Sequence, residues 1–111
     1  MTQPRHAAAI AFAALLLGLA ANAGAQRTVP ISQKGRAFVP AEVTMAQADV
    51  LAILNDDGHL LHHVQIEASR FRFDSGEQEP GQTVLVRFPT PGTYLVRCGI
   101  HPRMRLAVTV R

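Results

Sequence analysis

From residue 28 onward the chain is a series of short runs in which apolar and polar residues alternate, separated by turn-forming residues. Successive side chains of a strand point to opposite faces, so a period of two marks a strand with one face buried. Thr28 to Gln33, Ala41 to Met45 and Asp49 to Leu54 are the first three expected strands, the third ending in the turn cluster Asn55-Asp56-Asp57-Gly58. His62 to Ala68 is a fourth. Gln82 to Phe88 follows the Pro80-Gly81 turn, Gly92 to Cys98 follows Pro91-Gly92, and Arg105 to Arg111 closes the chain. Glu67 to Gln78 is polar and irregular and reads as a long connection, with room for a short strand at Arg70 to Phe73. No stretch has helical periodicity of useful length, and no repeat or low-complexity linker interrupts the pattern. Short strands at this spacing predict an all-β sandwich or barrel.

The alternation is cleanest near the end. Tyr94, Val96 and Cys98 share one face, opposite Leu95 and Arg97; Leu106, Val108 and Val110 share another, opposite Thr109 and Arg111. Both apolar rows are expected to pack into one core, which puts Cys98 at the end of an inward row, on the rim of that core.

Ahead of these strands the pattern changes. Ala7 to Ala21 is an apolar run broken by Gly18, preceded by Arg5 and followed by the small-residue patterns Ala21-Asn22-Ala23 and Ala23-Gly24-Ala25. This is the layout of a cleaved secretory signal. The run is shorter than the ~20 residues a membrane-spanning helix needs. Residues 1–25 are therefore read as a signal peptide and 26–111 as a single domain, exported to the periplasm, with no membrane span left after cleavage. Basic residues outnumber acidic ones by eleven to eight over the 111 residues. There is no basic run and the few aromatics are scattered, which argues against nucleic acid.

Export also frames the chemistry. A small exported domain usually gains a disulfide or a metal. Cys98 is the single cysteine, so no disulfide can form within the chain. A free thiol in an oxidising compartment calls for an occupant. The run Cys98-Gly-Ile-His101-Pro-Arg-Met104 sets a thiol, an imidazole and a thioether at even intervals, between the end of one expected strand and the start of the next. Soft sulfur donors with imidazole suit copper in a trigonal Cys-His-His site with a weak axial Met. Zinc is the lesser fit, because Met is a poor zinc ligand. A second imidazole is needed, from His59, His62 or His63. Parity with Val64 and Ile66 turns His62 inward and His63 outward, so His62 is the expected fourth ligand and His63 the alternative.

These residues resemble the cupredoxins, the small type 1 copper proteins. The run Cys98 to Arg105, followed by Leu106 to Val110, is similar to the end of amicyanin, with its short Cys-x-x-His-x-x-Met loop. Asn55-Asp56-Asp57 followed by His62-His63-Val64 resembles the family's first ligand segment, as do Phe38-Val39-Pro40, Phe73-Asp74-Ser75-Gly76 and Pro80-Gly81. The family usually has His-Asn-Val where this chain has His62-His63-Val64, so the Asn that braces the ligand loop is replaced. That His-His variant resembles plastocyanin-like proteins linked to methylamine utilisation. The resemblance implies a Greek-key β-sandwich of about seven to eight strands, one copper ion and no enzymatic activity. It implies a monomeric one-electron carrier between redox partner proteins, with a copper-buffering or delivery protein as the alternative. It also implies that His101 is the electron port, within an apolar partner surface formed by Ile100, Pro102 and Arg103, joined by Leu60 and Leu61. Arg97 and Arg105 stand close enough to help Arg103 attract an acidic partner. A copper enzyme with a second metal centre would need another histidine cluster, which the sequence lacks.

Overall fold

The computed structural model describes residues 26–111; the expected signal segment, residues 1–25, lies outside them. Among the described residues nine strands are formed: β1 (Thr28–Gln33), β2 (Phe38–Val39), β3 (Glu42–Met45), β4 (Val50–Asn55), β5 (Gln65–Ala68), β6 (Phe71–Asp74), β7 (Thr83–Val86), β8 (Gly92–Arg97) and β9 (Arg105–Val110). They make two mixed sheets, a four-stranded one in the order β2-β1-β4-β7 and a five-stranded one in the order β3-β9-β8-β5-β6. Among the described residues, no helix is long and apolar enough to cross a membrane.

The alternating pattern explains how the sheets face each other. Ile31 and Ile53 are neighbours across the parallel β1–β4 pair, and Leu51 and Val86 across β4–β7. On the other sheet Tyr94 lies opposite Val108, and Val96 lies between Leu106 and Ile66. All of these are buried and form one cluster between the sheets, joined by Phe38, Met45 and Phe88. Cys98 and Met104 belong to the same cluster, so the inward row of β8 does end at Cys98.

Two features differ from the strand pattern expected. β2 is additional: at two residues, it is too short to alternate. The fourth strand begins at Gln65 rather than His62. His62 to Val64 leave the sheet to pair with the connection after β6. His62 and Gln78 exchange both backbone hydrogen bonds (3.0 and 2.8 Å), and the Ser75 amide donates to the Val64 carbonyl. The alternation nevertheless persists through this segment, with His62, Val64 and Ile66 buried and His63 half-buried.

At one end of the sandwich the buried rows turn polar. Gln33 and Asn55 are neighbours at the ends of β1 and β4, and they are buried, as are His62 and Gln78. Buried polar groups persist where their hydrogen bonds are made. Here those bonds run between segments far apart in sequence, and they form the floor of the site.

Candidate metal centre

His62 arrives on a loop that Asn55 closes. The Asn55 Nδ2 group donates to the carbonyls of Leu60 (2.8 Å) and Gln78 (3.0 Å), and its Oδ1 accepts from the Asp57 amide (3.0 Å). Gln78 extends the bracket, donating from Nε2 to the carbonyls of Ile53 and Gln82. The His62 ring is 0 % exposed. Its Nδ1 faces Cys98 Sγ at 3.8 Å, and its Nε2 lies 2.7 Å from Asp57 Oδ2. A carboxylate only accepts, so Nε2 is the donor of that pair, and Nδ1 is the ring nitrogen that faces the thiol.

Cys98 and Met104 begin and end the loop between β8 and β9. The strands meet at the Arg97–Arg105 pair, and the Met104 amide donates to the His101 carbonyl (2.9 Å), which folds the loop back on itself. His101 Nδ1 is thereby brought to 3.7 Å from Cys98 Sγ. The His62 and His101 rings stand edge-on, with centroids 5.0 Å apart. The backbone amide of His63 donates to the sulfur at 3.2 Å.

Among the described residues, His62, Cys98 and His101 form one group able to hold a metal ion, with their donor atoms all within 4.8 Å of one another. The spacing can be checked against bond lengths. A metal ~2.0 Å from an imidazole nitrogen and ~2.3 Å from a thiolate, at a trigonal angle, requires a sulfur–nitrogen separation of about 3.7 Å. The two separations found, 3.8 and 3.7 Å, fit that requirement. Met104, buried in the same loop, adds a soft thioether, and the whole donor set matches copper better than zinc.

His101 is half-buried, at the wall of a depression of about 420 Å³ lined also by Arg36, Ile100, Pro102, Arg103 and Met104. Burial, then the neighbouring His62 and Arg36, hold the His101 imidazole below its usual pKa, which keeps it the neutral donor a metal requires. Of the residues expected around the port, Ile100, Pro102 and Arg103 line this depression. Leu60, Leu61, Arg97 and Arg105 do not; Arg97 and Arg105 pair on the outward face of the β8–β9 ladder.

His63 does not replace the missing Asn brace with its ring. Its Nδ1 is buried without a hydrogen-bond partner. Bracing comes from residues the sequence reading did not single out as site residues. Gln78 pairs with the His62 backbone, and Asn55 ties Gln78 to Leu60, two residues before His62. Ser75 accepts the Val64 amide on its hydroxyl (2.9 Å). Asp57 is more deeply involved than a turn residue. It accepts from the amides of Gly35 (2.7 Å) and Arg36 (3.2 Å) as well as from His62. Burial raises its pKa, but hydrogen bonds from His62, Gly35 and Arg36 outweigh that, leaving the Asp57 carboxyl below the ordinary carboxylate value.

Comparisons with known proteins agree with this fold. Plastocyanins from Ulva arasakii and Ulva pertusa are each 27% identical over 86 residues, covering 68% of this chain and 87% of the plastocyanin. A reduced amicyanin variant superimposes with a TM-score of 0.70 at 21% identity, over 76% of this chain and 82% of amicyanin. A purple cupredoxin from Nitrosopumilus maritimus gives 0.65 at 20% identity, over 75% of this chain and 99% of its own. The fold is cupredoxin-like. A copper-containing nitrite reductase from Thermus scotoductus SA-01 shares the fold (TM-score 0.69, 21% identity), but the cupredoxin-like domain spans 22% of that enzyme's chain. No family model matches the sequence.

Proposed function

We propose that this protein is a periplasmic type 1 copper protein that carries single electrons between redox partner proteins. The observation that carries the reading is the convergence of the buried Cys98 and His62 with the half-buried His101, with Met104 in the same loop. Copper bound there supplies a one-electron couple between Cu(II) and Cu(I). Cys98, as thiolate, would hold the ion together with His62 and His101, and Met104 would add a weaker thioether donor.

The chain's part is to keep those donors from rearranging. Cys98 and Met104 are each 1 % exposed and built into the core, and His62 is bracketed by Gln78 and Asp57. Donors held by packing change position little when the metal changes charge, which favours fast transfer. His101 alone of the four reaches the surface, inside an apolar surround that includes Ile100, 43 % exposed. It is the natural port for electrons and Ile100, Pro102 and Arg103 the natural partner contact. Deep burial of Cys98, His62 and Met104 supports an electron carrier over a copper-delivery protein, which has to release its ion readily. The periplasmic location rests on residues 1–25 reading as a cleaved signal.

The test is a visible and EPR spectrum of the mature domain loaded with Cu(II). Intense thiolate-to-copper charge transfer, lost in Cys98→Ser, is expected. A colourless copper complex, or one that Cys98→Ser leaves unchanged, refutes the assignment.

A further inference from the structure

We infer that Asp57 is a positioning residue for the metal: through His62 it fixes which imidazole nitrogen faces Cys98 and raises the protein's preference for Cu(II) over Cu(I). The inference rests on the copper reading proposed above and adds a group that touches neither the metal nor a partner.

Three observations carry it. First, the Asp57 carboxylate is 11 % exposed and makes a 2.7 Å contact with Nε2 of a ring that is completely buried. Screening by water is small there, and a hydrogen bond to a charged group is stronger than a neutral one. Secondly, the carboxylate is immobilised from the other side. Oδ1 accepts from the Gly35 amide and Oδ2 from the Arg36 amide. Gly35 and Arg36 both have left-handed backbones (φ 63 and 55). For arginine that conformation costs free energy, of order 1 kcal/mol. The turn adopts it with both amides aimed at Asp57, as expected where the surroundings over-determine the backbone. Thirdly, the carboxylate's charge has a direction. Beside a Cys98 thiolate it would add a second negative charge, and any negative charge there favours Cu(II) over Cu(I), with or without the nearby Arg36.

An outer carboxylate that accepts from a ligating histidine sets its tautomer and makes it a better donor. Here the consequence has a direction. Removing the negative charge weakens Cu(II) more than Cu(I), so the reduction potential rises. The bland alternative is that Asp57 merely caps the 34–36 turn. It predicts lower stability in an Asp57 variant, without a change in tautomer or in the ratio of the two affinities.

The first measurement needs neither copper nor a variant. Long-range proton–nitrogen correlation spectra of the metal-free protein at about pH 8, where a free imidazole is neutral, should show His62 protonated on Nε2. Protonation on Nδ1 overturns the inference, whatever the metal. The second compares Asp57→Asn with Asp56→Asn by competition titration with Cu(II) and Cu(I), and by potentiometry. Asp56 is the adjacent exposed carboxylate, in long contact with Lys34 (3.9 Å), and is a control for charge alone. Asp57→Asn should lower the Cu(II)-to-Cu(I) affinity ratio about tenfold, at the low end of the 10–100-fold effect of such outer partners; that is about 59 mV upward for one electron. Asp56→Asn should stay within about twofold of the wild type, because an exposed charge is screened. An Asp57→Asn ratio no further from wild type than Asp56→Asn overturns the inference. Wild-type protein that gives no thiolate-to-copper band refutes the copper reading instead, and the tautomer result then stands by itself.

Discussion

Asn55 offers a direct test of whether the polar floor holds the site together. It is 1 % exposed, and its side chain makes three hydrogen bonds, to the Leu60 and Gln78 carbonyls and from the Asp57 amide. Asn55→Ala deletes all three while leaving its backbone bonds with Gln82 and Gly81 in place. A hydrogen bond contributes roughly 0.5–1.5 kcal/mol net, and a buried group left unpaired costs roughly 1–3 kcal/mol. The Gln78 carbonyl keeps the His62 amide as a partner, and Leu60 and Asp57 are only half-buried, so water can replace part of the loss. The expected destabilisation of the metal-free domain is therefore about 2–4 kcal/mol. Urea unfolding measures it: the midpoint should fall with the slope unchanged, since the same surface is exposed on unfolding. Asn55→Asp sharpens the test. It keeps the volume and the acceptor toward Asp57, but turns a carboxylate oxygen toward two carbonyls, and at neutral pH it should be at least as damaging as alanine. If both variants unfold within ~0.5 kcal/mol of the wild type, the range of an ordinary surface substitution, the floor does not carry the loop and the reasoning fails.

Four further outcomes follow from the same contacts. Met104→Leu nearly conserves volume and should cost less than about 1.5 kcal/mol; loss of the thioether should raise the reduction potential, as measured by potentiometry. Gly92→Ala should destabilise the domain by about 1–3 kcal/mol in thermal melts, because φ is 143° and the new Cβ would stand 2.3 Å from the Arg70 guanidinium. Tyr94→Phe should cost about 1–2 kcal/mol, because its hydroxyl donates to the Thr90 carbonyl (2.8 Å) and accepts from Arg70 (3.2 Å). Copper at about 1,000 times its dissociation constant should add about 4 kcal/mol to stability; calorimetry with and without a chelator measures this, and a melt indifferent to copper would contradict a native-state site.

The alternating rows were legible because burial acts on one face at a time. Tyr94, Val96, Cys98 and Leu106, Val108, Val110 could be assigned to a common core from period two alone, and all six are buried. The same parity turned His62 inward and His63 outward, even though the regular ladder starts only at Gln65. Parity survived because Val64 and Ile66 must both be buried, although the hydrogen bonds of Val64 go to Ser75 and those of Ile66 to a strand. The fork between the strand and the connection was not legible, since it depends on which distant backbone groups are unpaired.

What the sequence hid shares one physical cause. Asn55, Asp57 and Gln78 stand in polar stretches where periodicity carries no signal, and each acts on residues distant in the chain. Asn55 sits in what looks like an ordinary turn cluster, yet it ends β4 buried, its Nδ2 bonded 23 residues away to Gln78. Asp57 reaches 22 residues back to Gly35 and five forward to His62. Ligands are recognisable because their chemistry is rare and their spacing local. The residues that hold ligands still are chemically common, and geometry alone distinguishes them. A loop whose Asn brace is replaced by His63 therefore need not be loose. Its rigidity has moved to a carboxylate and two amides, and with that carboxylate comes a fixed negative charge beside the metal that a neutral brace would not bring.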